Sequence, residues 1–359
     1  MLKEKVIDSH VHVEAFFNEE SDFVNCFENY RNNNGLATFN ICVVPTKQRN
    51  VCNNMMAGFY KLAHPYTYAH CGVDHIYFPN REEMPEGMDL VTQYKELMEM
   101  GFDGVKMLEA KPSHHKKNGS CLLPPSMVKL FKEIEKDGTH LLLHSNDPEE
   151  FWDERFTTDE MKQKGWFYGD GTYATHEEIY KETEELLALC PNLKVTLAHF
   201  YFCGEKPEKL ASLLDKYPNL CVDITQGGEM YIAFEKRTEY FKDFFIKYSD
   251  RIMLGTDSTF PWGDKVYDWL IDRTYRFVAT GDYMMAFADH NLTGINLPKE
   301  ERENILYKNF ERRVSPKPKA INKELLLRYV EKYKCLLSDE EWKFIEPHYT
   351  KLANELKQF

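Results

Sequence analysis

Eight short apolar runs, near residues 6–13, 36–44, 66–74, 102–108, 139–145, 194–201, 220–226 and 251–257, alternate with amphipathic stretches along most of the chain. Most are continuous rather than alternating, which predicts strands covered on both faces, as in a parallel sheet. Between them, Met88–Met100 sets Leu90, Val91, Tyr94, Leu97 and Met98 on one helical stripe. Ser126–Glu135 repeats the pattern with Met127, Leu130, Phe131 and Ile134. Thr175 and Glu178 have capping-box spacing, and Gly101 and Gly138 stand where two helices should end. Eight βα units in series predict an α/β chain closed as a (β/α)8 TIM barrel over residues 1–315. An open doubly wound sheet is the alternative, although no glycine-rich phosphate loop follows the first strand. After a helix over Lys299–Val314, Pro316-Lys317-Pro318-Lys319 breaks the chain and opens a C-terminal helical extension, residues 316–359. Its helices are expected at Lys323–Leu337 and Asp339–Lys357, with Ser338 as a cap. Their stripe of Leu326, Leu327, Val330 and Tyr333 should dock on the barrel side or on a second subunit.

Several of these runs carry or end in a residue of metal or proton chemistry. In Val6-Ile7-Asp8-Ser9-His10-Val11-His12-Val13, strand alternation puts Asp8, His10 and His12 on one face and Val11 and Val13 on the other. Two imidazoles roughly 6–7 Å apart along one strand face can share a divalent ion. The plainer reading is two unrelated histidines in an edge strand. Later runs end in His144, His199 and Asp257, and a fourth carries Lys106. One such residue at a strand end is usually structural; the series is harder to dismiss. The segment from Ser145 to Ala174 is long for a compact domain and carries Phe151, Trp152, Trp166, Phe167, Tyr168 and Tyr173, which suits a lid or pocket wall. Phe260-Pro261-Trp262-Gly263 is a second aromatic candidate for the wall. The basic run Lys111–Lys117 offers itself either to solvent or to an anionic substrate.

Composition narrows the partners. A net charge of −13 argues against nucleic acid or an anionic membrane, since both demand a basic surface. Nine cysteines without a C-x-x-C pair exclude a zinc ribbon and disfavour a disulfide framework, so a reducing, cytoplasmic setting is expected. No signal peptide and no run of membrane-spanning length is read in the sequence.

The order His-x-His, Lys, His, His and Gly-Thr-Asp along successive strands resembles the amidohydrolase superfamily. The wording is similar to its amidohydrolase-2 branch of metal-dependent hydrolases: Ile7-Asp8-Ser9-His10-Val11-His12, Gly104-Val105-Lys106, His144-Ser-Asn-Asp147-Pro-Glu-Glu-Phe151-Trp152, Leu197-Ala-His199-Phe200 and Leu254-Gly-Thr-Asp257. Gly294-Ile-Asn-Leu-Pro298 and Tyr307-Lys-Asn309-Phe-Glu-Arg312 extend the likeness to about residue 314.

The resemblance implies a divalent metal at the top of the barrel and a small-molecule substrate, with anionic character as one option. It implies His10, His12, His144 and Asp257 as ligands, a set suited to one Zn²⁺ with Mn²⁺ or Fe²⁺ as alternatives. Asp257 is then the proton carrier, and Asp8 the carboxylate behind the ligands. His199 either holds the attacked carbonyl or carboxylate or ligates a second ion together with Lys106. Lys106 is either carboxylated or an ordinary amine that meets a substrate anion, and one metal with unmodified Lys106 is favoured. The expected activity is hydrolysis of an amide, lactone or ester. The alternative is non-oxidative decarboxylation of an aromatic or unsaturated acid, for which Arg155 and Arg237 are the candidate acid-binding arginines. A ligand-binding barrel without turnover is a third reading, and a homo-oligomer is left open.

Overall fold

The computed structural model describes residues 2, 4–13, 20–45, 49–75, 82–118, 122–260, 264–287 and 290–357. Pro261, Trp262 and Gly263, of the second aromatic candidate in the sequence, lie outside them. Among the described residues the main sheet takes nine strands: β1 (Ile7–Val13), β2 (Thr38–Cys42), β3 (Tyr68–Cys71), β4 (Gly104–Ala110), β5 (His140–Ser145), β6 (Val195–Leu197), β7 (Leu220–Asp223), β8 (Ile252–Met253) and β9 (Ser258–Phe260). Their order is β8-β7-β6-β5-β4-β3-β2-β1-β9, and helices occupy the connections from β1 through β8, while β8 leads to β9 through residues 254–257 without one. This is a TIM-barrel-like α/β fold with a C-terminal helical region. No helix among the described residues is long and apolar enough to cross a membrane.

The chain divides into two compact units, Met1–Lys106 with Met253–Tyr275 and Glu303–Phe359, and Met107–Ile252 with Arg276–Arg302. In the first, β1 pairs in parallel with β2 on one side (Ile7 opposite Thr38) and with β9 on the other (Val11 opposite Ser258). A register shift between Asp8 and Val11 interrupts the β1–β2 ladder. The helix Leu90–Met100 begins where the Asp89 carboxylate accepts the amides of Val91 and Thr92 at 3.1 and 3.2 Å. It stops at Gly101, whose φ of +118° and whose position 2.2 Å (by an added Cβ) from the Ala320 carbonyl leave room for glycine alone. The C-terminal helix Lys323–Tyr333 packs on Asn50–Ala63 and Leu90–Met100. Its buried stripe is Leu326, Tyr329, Val330 and Tyr333, so Tyr329 takes the place expected for Leu327, which is only half-buried. Ser338 and Glu341 bond reciprocally at the start of Asp339–Lys357, as a cap should.

The helix expected at Lys299–Val314 is instead broken by a π turn at Asn304–Lys308. In the first unit that turn offers the Ile305 carbonyl to the Leu254 amide at 3.0 Å, just past β8.

In the second unit, β5, β6 and β7 run parallel, with Leu141 opposite Val195 and Val195 opposite Leu220. The capping box at Thr175 is formed, and Gly138 closes Pro125–Asp137 at a φ of +64°. An antiparallel hairpin, β10 (Tyr283–Phe287) and β11 (His290–Thr293), packs on the helix Gly228–Lys236.

Candidate metal centre

β1 presents His10 and His12 on one face, as strand alternation requires. His12 Nδ1 donates to the Cys42 carbonyl at 2.8 Å, which fixes the ring and leaves Nε2 as a bare lone pair. His10 Nε2 lies 2.9 Å from Lys106 Nζ; an ammonium only donates, so this nitrogen is also an acceptor. The two Nε2 atoms stand 3.1 Å apart. Asp257 joins them although β8 ends four residues earlier, at Met253. Its amide donates to the His10 carbonyl at 2.9 Å and its φ is +58°, a left-handed conformation that carries Oδ1 to 3.1 Å from His12 Nε2 and 3.5 Å from His10 Nε2.

Donors about 2.0–2.2 Å from one tetrahedral ion stand about 3.3–3.6 Å apart. The separations here are close to that spacing, and two proton-free nitrogens facing each other beside a carboxylate form a donor set for a divalent cation. His10, His12 and Asp257 therefore fit the metal that the sequence implies.

Behind this group sits Asp8. Its Oδ1 accepts the amides of His10 and Thr256, both at 3.1 Å, and its Oδ2 accepts the hydroxyls of Tyr30 at 2.5 Å and Thr256 at 2.6 Å. The carboxylate thus ties the strand carrying the histidines to the turn carrying Asp257. Burial pushes its pKa up to about 6, against the pull of these hydrogen bonds. Tyr30 gave no sign in the sequence, because it belongs to no periodic or spaced motif, and Thr256, although inside the Gly-Thr-Asp motif, drew no role from its spacing.

The second unit holds a group of its own residues around His144. His144, at the end of β5, lies with Nε2 3.1 Å from Asp147 Oδ1 and 3.5 Å from Lys111 Nζ. Lys111 meets both oxygens of Asp147, at 2.7 and 2.8 Å, and the Tyr168 hydroxyl donates to Oδ2 at 2.6 Å. Burial, reinforced by the Lys111 charge, holds the His144 pKa well below the usual histidine range. Burial alone would raise Asp147, but the Lys111 ammonium and His144 overcome it and hold the carboxyl well below the carboxylate range. His199, expected at a strand end, instead opens a turn two residues beyond β6, its ring edge-on to His144 at 4.8 Å.

The long 145–174 segment packs largely on itself. Phe151 and Trp166 stack at 5.9 Å, Trp152 Nε1 donates to the Ala174 carbonyl at 3.0 Å, and Tyr168 is delivered to Asp147. In the basic run, Lys111 pairs with Asp147, His115 with Glu182, and Lys116 with the Thr172 hydroxyl. Arg155, exposed, pairs with Asp153, and Arg237, half-buried, pairs with Glu208, so both of the arginines considered for acid binding are engaged by carboxylates. A carboxyl that the sequence did not flag, Glu229, lies in the first turn of Gly228–Lys236 and is pushed by burial to about 7.

The amidohydrolase family model matches residues 53–312. No curated protein matches the chain. Among solved structures, an amidohydrolase II is 14% identical with a TM-score of 0.52, covering 86% of this chain and 99% of its own. An uncharacterised TIM-barrel protein from Bordetella bronchiseptica is 14% identical with a TM-score of 0.50, covering 86% and 98%. A 2,6-dihydroxybenzoate decarboxylase from Rhizobium is 12% identical with a TM-score of 0.52, covering 87% and 98%. At such identities the likeness is one of fold.

Proposed function

Because the chain belongs to the amidohydrolase family, we propose that it is a metal-dependent hydrolase that cleaves an amide, lactone or ester in a small molecule. The observation carrying this is the convergence of His10 Nε2, His12 Nε2 and Asp257 Oδ1 within 3.1–3.5 Å of one another. A divalent ion held there supplies Lewis acidity and brings the pKa of water toward ~7. The Cys42 carbonyl keeps His12 in the ligating tautomer, and Asp8 holds the backbones on which His10 and Asp257 depend. The Asp257 carboxylate takes the proton of the attacking water and returns it to the leaving group. Lys106, 2% exposed with its Nζ 2.9 Å from His10 Nε2, anchors a negatively polarised substrate group. On the sequence pattern, His144 is the fourth ligand and His199 a residue that meets substrate.

The second reading is decarboxylation, which the buried Lys106 favours because a lysine suits a substrate carboxylate, and which the Rhizobium relative of this fold carries out on 2,6-dihydroxybenzoate. Purified protein assayed on lactones, amides and esters, and in parallel for carbon dioxide release from hydroxybenzoates, separates the two. Turnover that is lost with a chelator and restored by Zn²⁺ or Mn²⁺ is expected on the first panel. Asp257→Asn should abolish that turnover while thermal unfolding stays cooperative; surviving activity would remove Asp257 as proton carrier.

A further inference from the structure

His199 stands in an unusual stretch of backbone. His199, Phe200, Tyr201 and Phe202 have φ values of +56°, +54°, +55° and +51°, a left-handed turn built from bulky residues that disfavour it. The turn persists because its surroundings dictate it. The Tyr180 hydroxyl lies 3.0 Å from the Tyr201 carbonyl and 3.1 Å from that of Phe202. The His199 amide donates to Asp223 Oδ1 at 2.8 Å, and Phe200 is buried against Phe234 and Phe245. Strained backbone held this firmly by tertiary contacts marks a side chain whose orientation matters.

What the ring meets decides its chemistry. His199 Nδ1 lies 3.3 Å from the Gln226 carbonyl and 3.3 Å from the Thr225 hydroxyl oxygen. A carbonyl only accepts. Thr225 has one hydroxyl proton, and it is directed to Asp223 Oδ1, so toward His199 this oxygen presents only lone pairs. With acceptors on both sides, Nδ1 carries a proton, and in the neutral imidazole, which has one N–H, Nε2 is then the unprotonated nitrogen.

We propose that Asp223 and Thr225 are positioning residues that lock His199 in the Nδ1–H tautomer, so that it meets its substrate as a proton acceptor and not as a hydrogen-bond donor. This separates the roles that the sequence left open. Holding the oxygen of a carbonyl or carboxylate needs an N–H on Nε2, whereas accepting a proton or ligating an ion needs the lone pair. The catalytic meaning rests on the proposed function above; the tautomer itself does not.

The test is a long-range ¹H–¹⁵N spectrum of the full chain labelled with ¹⁵N in its histidines, recorded at neutral pH, with the His199 signals assigned by their loss in His199→Gln. The expected wild-type signature is a protonated, pyrrole-like Nδ1 and an unprotonated Nε2. Thr225→Val should move part of the His199 population to the Nε2–H form, and Thr225→Ser should restore the wild-type pattern. A wild-type His199 protonated on Nε2, alone or together with Nδ1, overturns the proposal, as does a Thr225→Val spectrum identical to wild type. Once a substrate is in hand, Thr225→Val should lower kcat by about tenfold with KM little changed. The wild-type spectrum decides the tautomer even if Thr225→Val does not fold. A protein inert on every substrate panel but with the expected spectrum would refute the proposed function and leave the tautomer standing.

Discussion

Tyr30→Phe tests how far the metal centre depends on residues that touch none of its ligating atoms. The substitution deletes one hydroxyl, which donates to the buried Asp8 carboxylate at 2.5 Å. The ring stays and keeps its contacts with Phe39, Phe260 and Tyr267 at 5.3–5.5 Å, so little apolar burial is lost. A hydrogen bond to a charged group contributes about 1.5–3 kcal/mol, and that is the expected loss of stability. At roughly 2–4 °C per kcal/mol, Tm should fall by several degrees. Asp8 would still accept the amides of His10 and Thr256, but with one support fewer, and a partner behind a metal ligand is worth about 10–100-fold in affinity. Tyr30 is one step further back than such a partner, so a drop near the lower end, about tenfold, is expected. Calorimetric melts of the metal-free protein and competition titration against a chromogenic chelator measure the two effects. An unchanged Tm together with unchanged affinity would show that Asp8 does not organise the centre.

Two further outcomes follow from the packing. His176 is buried, and burial lowers its pKa from 6.5 to about 4, so the folded chain holds it neutral while the unfolded chain takes a proton as pH falls below 6.5. Its contribution is complete above that pH and drains away toward pH 4; between pH 7 and pH 5 it should cost about 2 kcal/mol, visible as a lower denaturant midpoint, and His176→Gln should flatten the dependence. An equal pH dependence in both proteins would contradict this. Leu326, fully buried, lies against Gly58, where a Cβ would come within 2.9 Å of it. Leu326→Ala should therefore cost about 2–5 kcal/mol and hasten protease cleavage after the Pro316–Lys319 break, whereas stability equal to wild type would mean that the C-terminal helices do not depend on this contact.

Local chemistry carried much of this molecule into its sequence. The capping pair Thr175 and Glu178, the terminating glycines Gly101 and Gly138, and the alternation of His10 and His12 depend on neighbours within a few residues, and they stand where spacing predicts. Strand ends were less legible. His199 and Asp257 look like last residues of apolar runs, yet both fall beyond their strands in left-handed backbone. Nothing in His-Phe-Tyr-Phe favours such a turn; Tyr180 and Asp223, both more than fifteen residues away, impose it. The same holds for Tyr30 on Asp8 and Tyr168 on Asp147, pairs 22 and 21 residues apart with no periodicity to betray them. The π turn at Asn304–Lys308 was hidden too, since the partner of its Ile305 carbonyl, the Leu254 amide, lies far away in the chain.

The central claim is that His10, His12 and Asp257 hold a divalent ion. Elemental analysis of protein purified without chelator, repeated on His12→Ala, addresses it most directly. About one ion per chain in the wild type, lost in the variant while its unfolding remains cooperative, is the predicted result. Metal-free wild type that takes up neither Zn²⁺ nor Mn²⁺, or a His12→Ala chain that retains its ion, would contradict it.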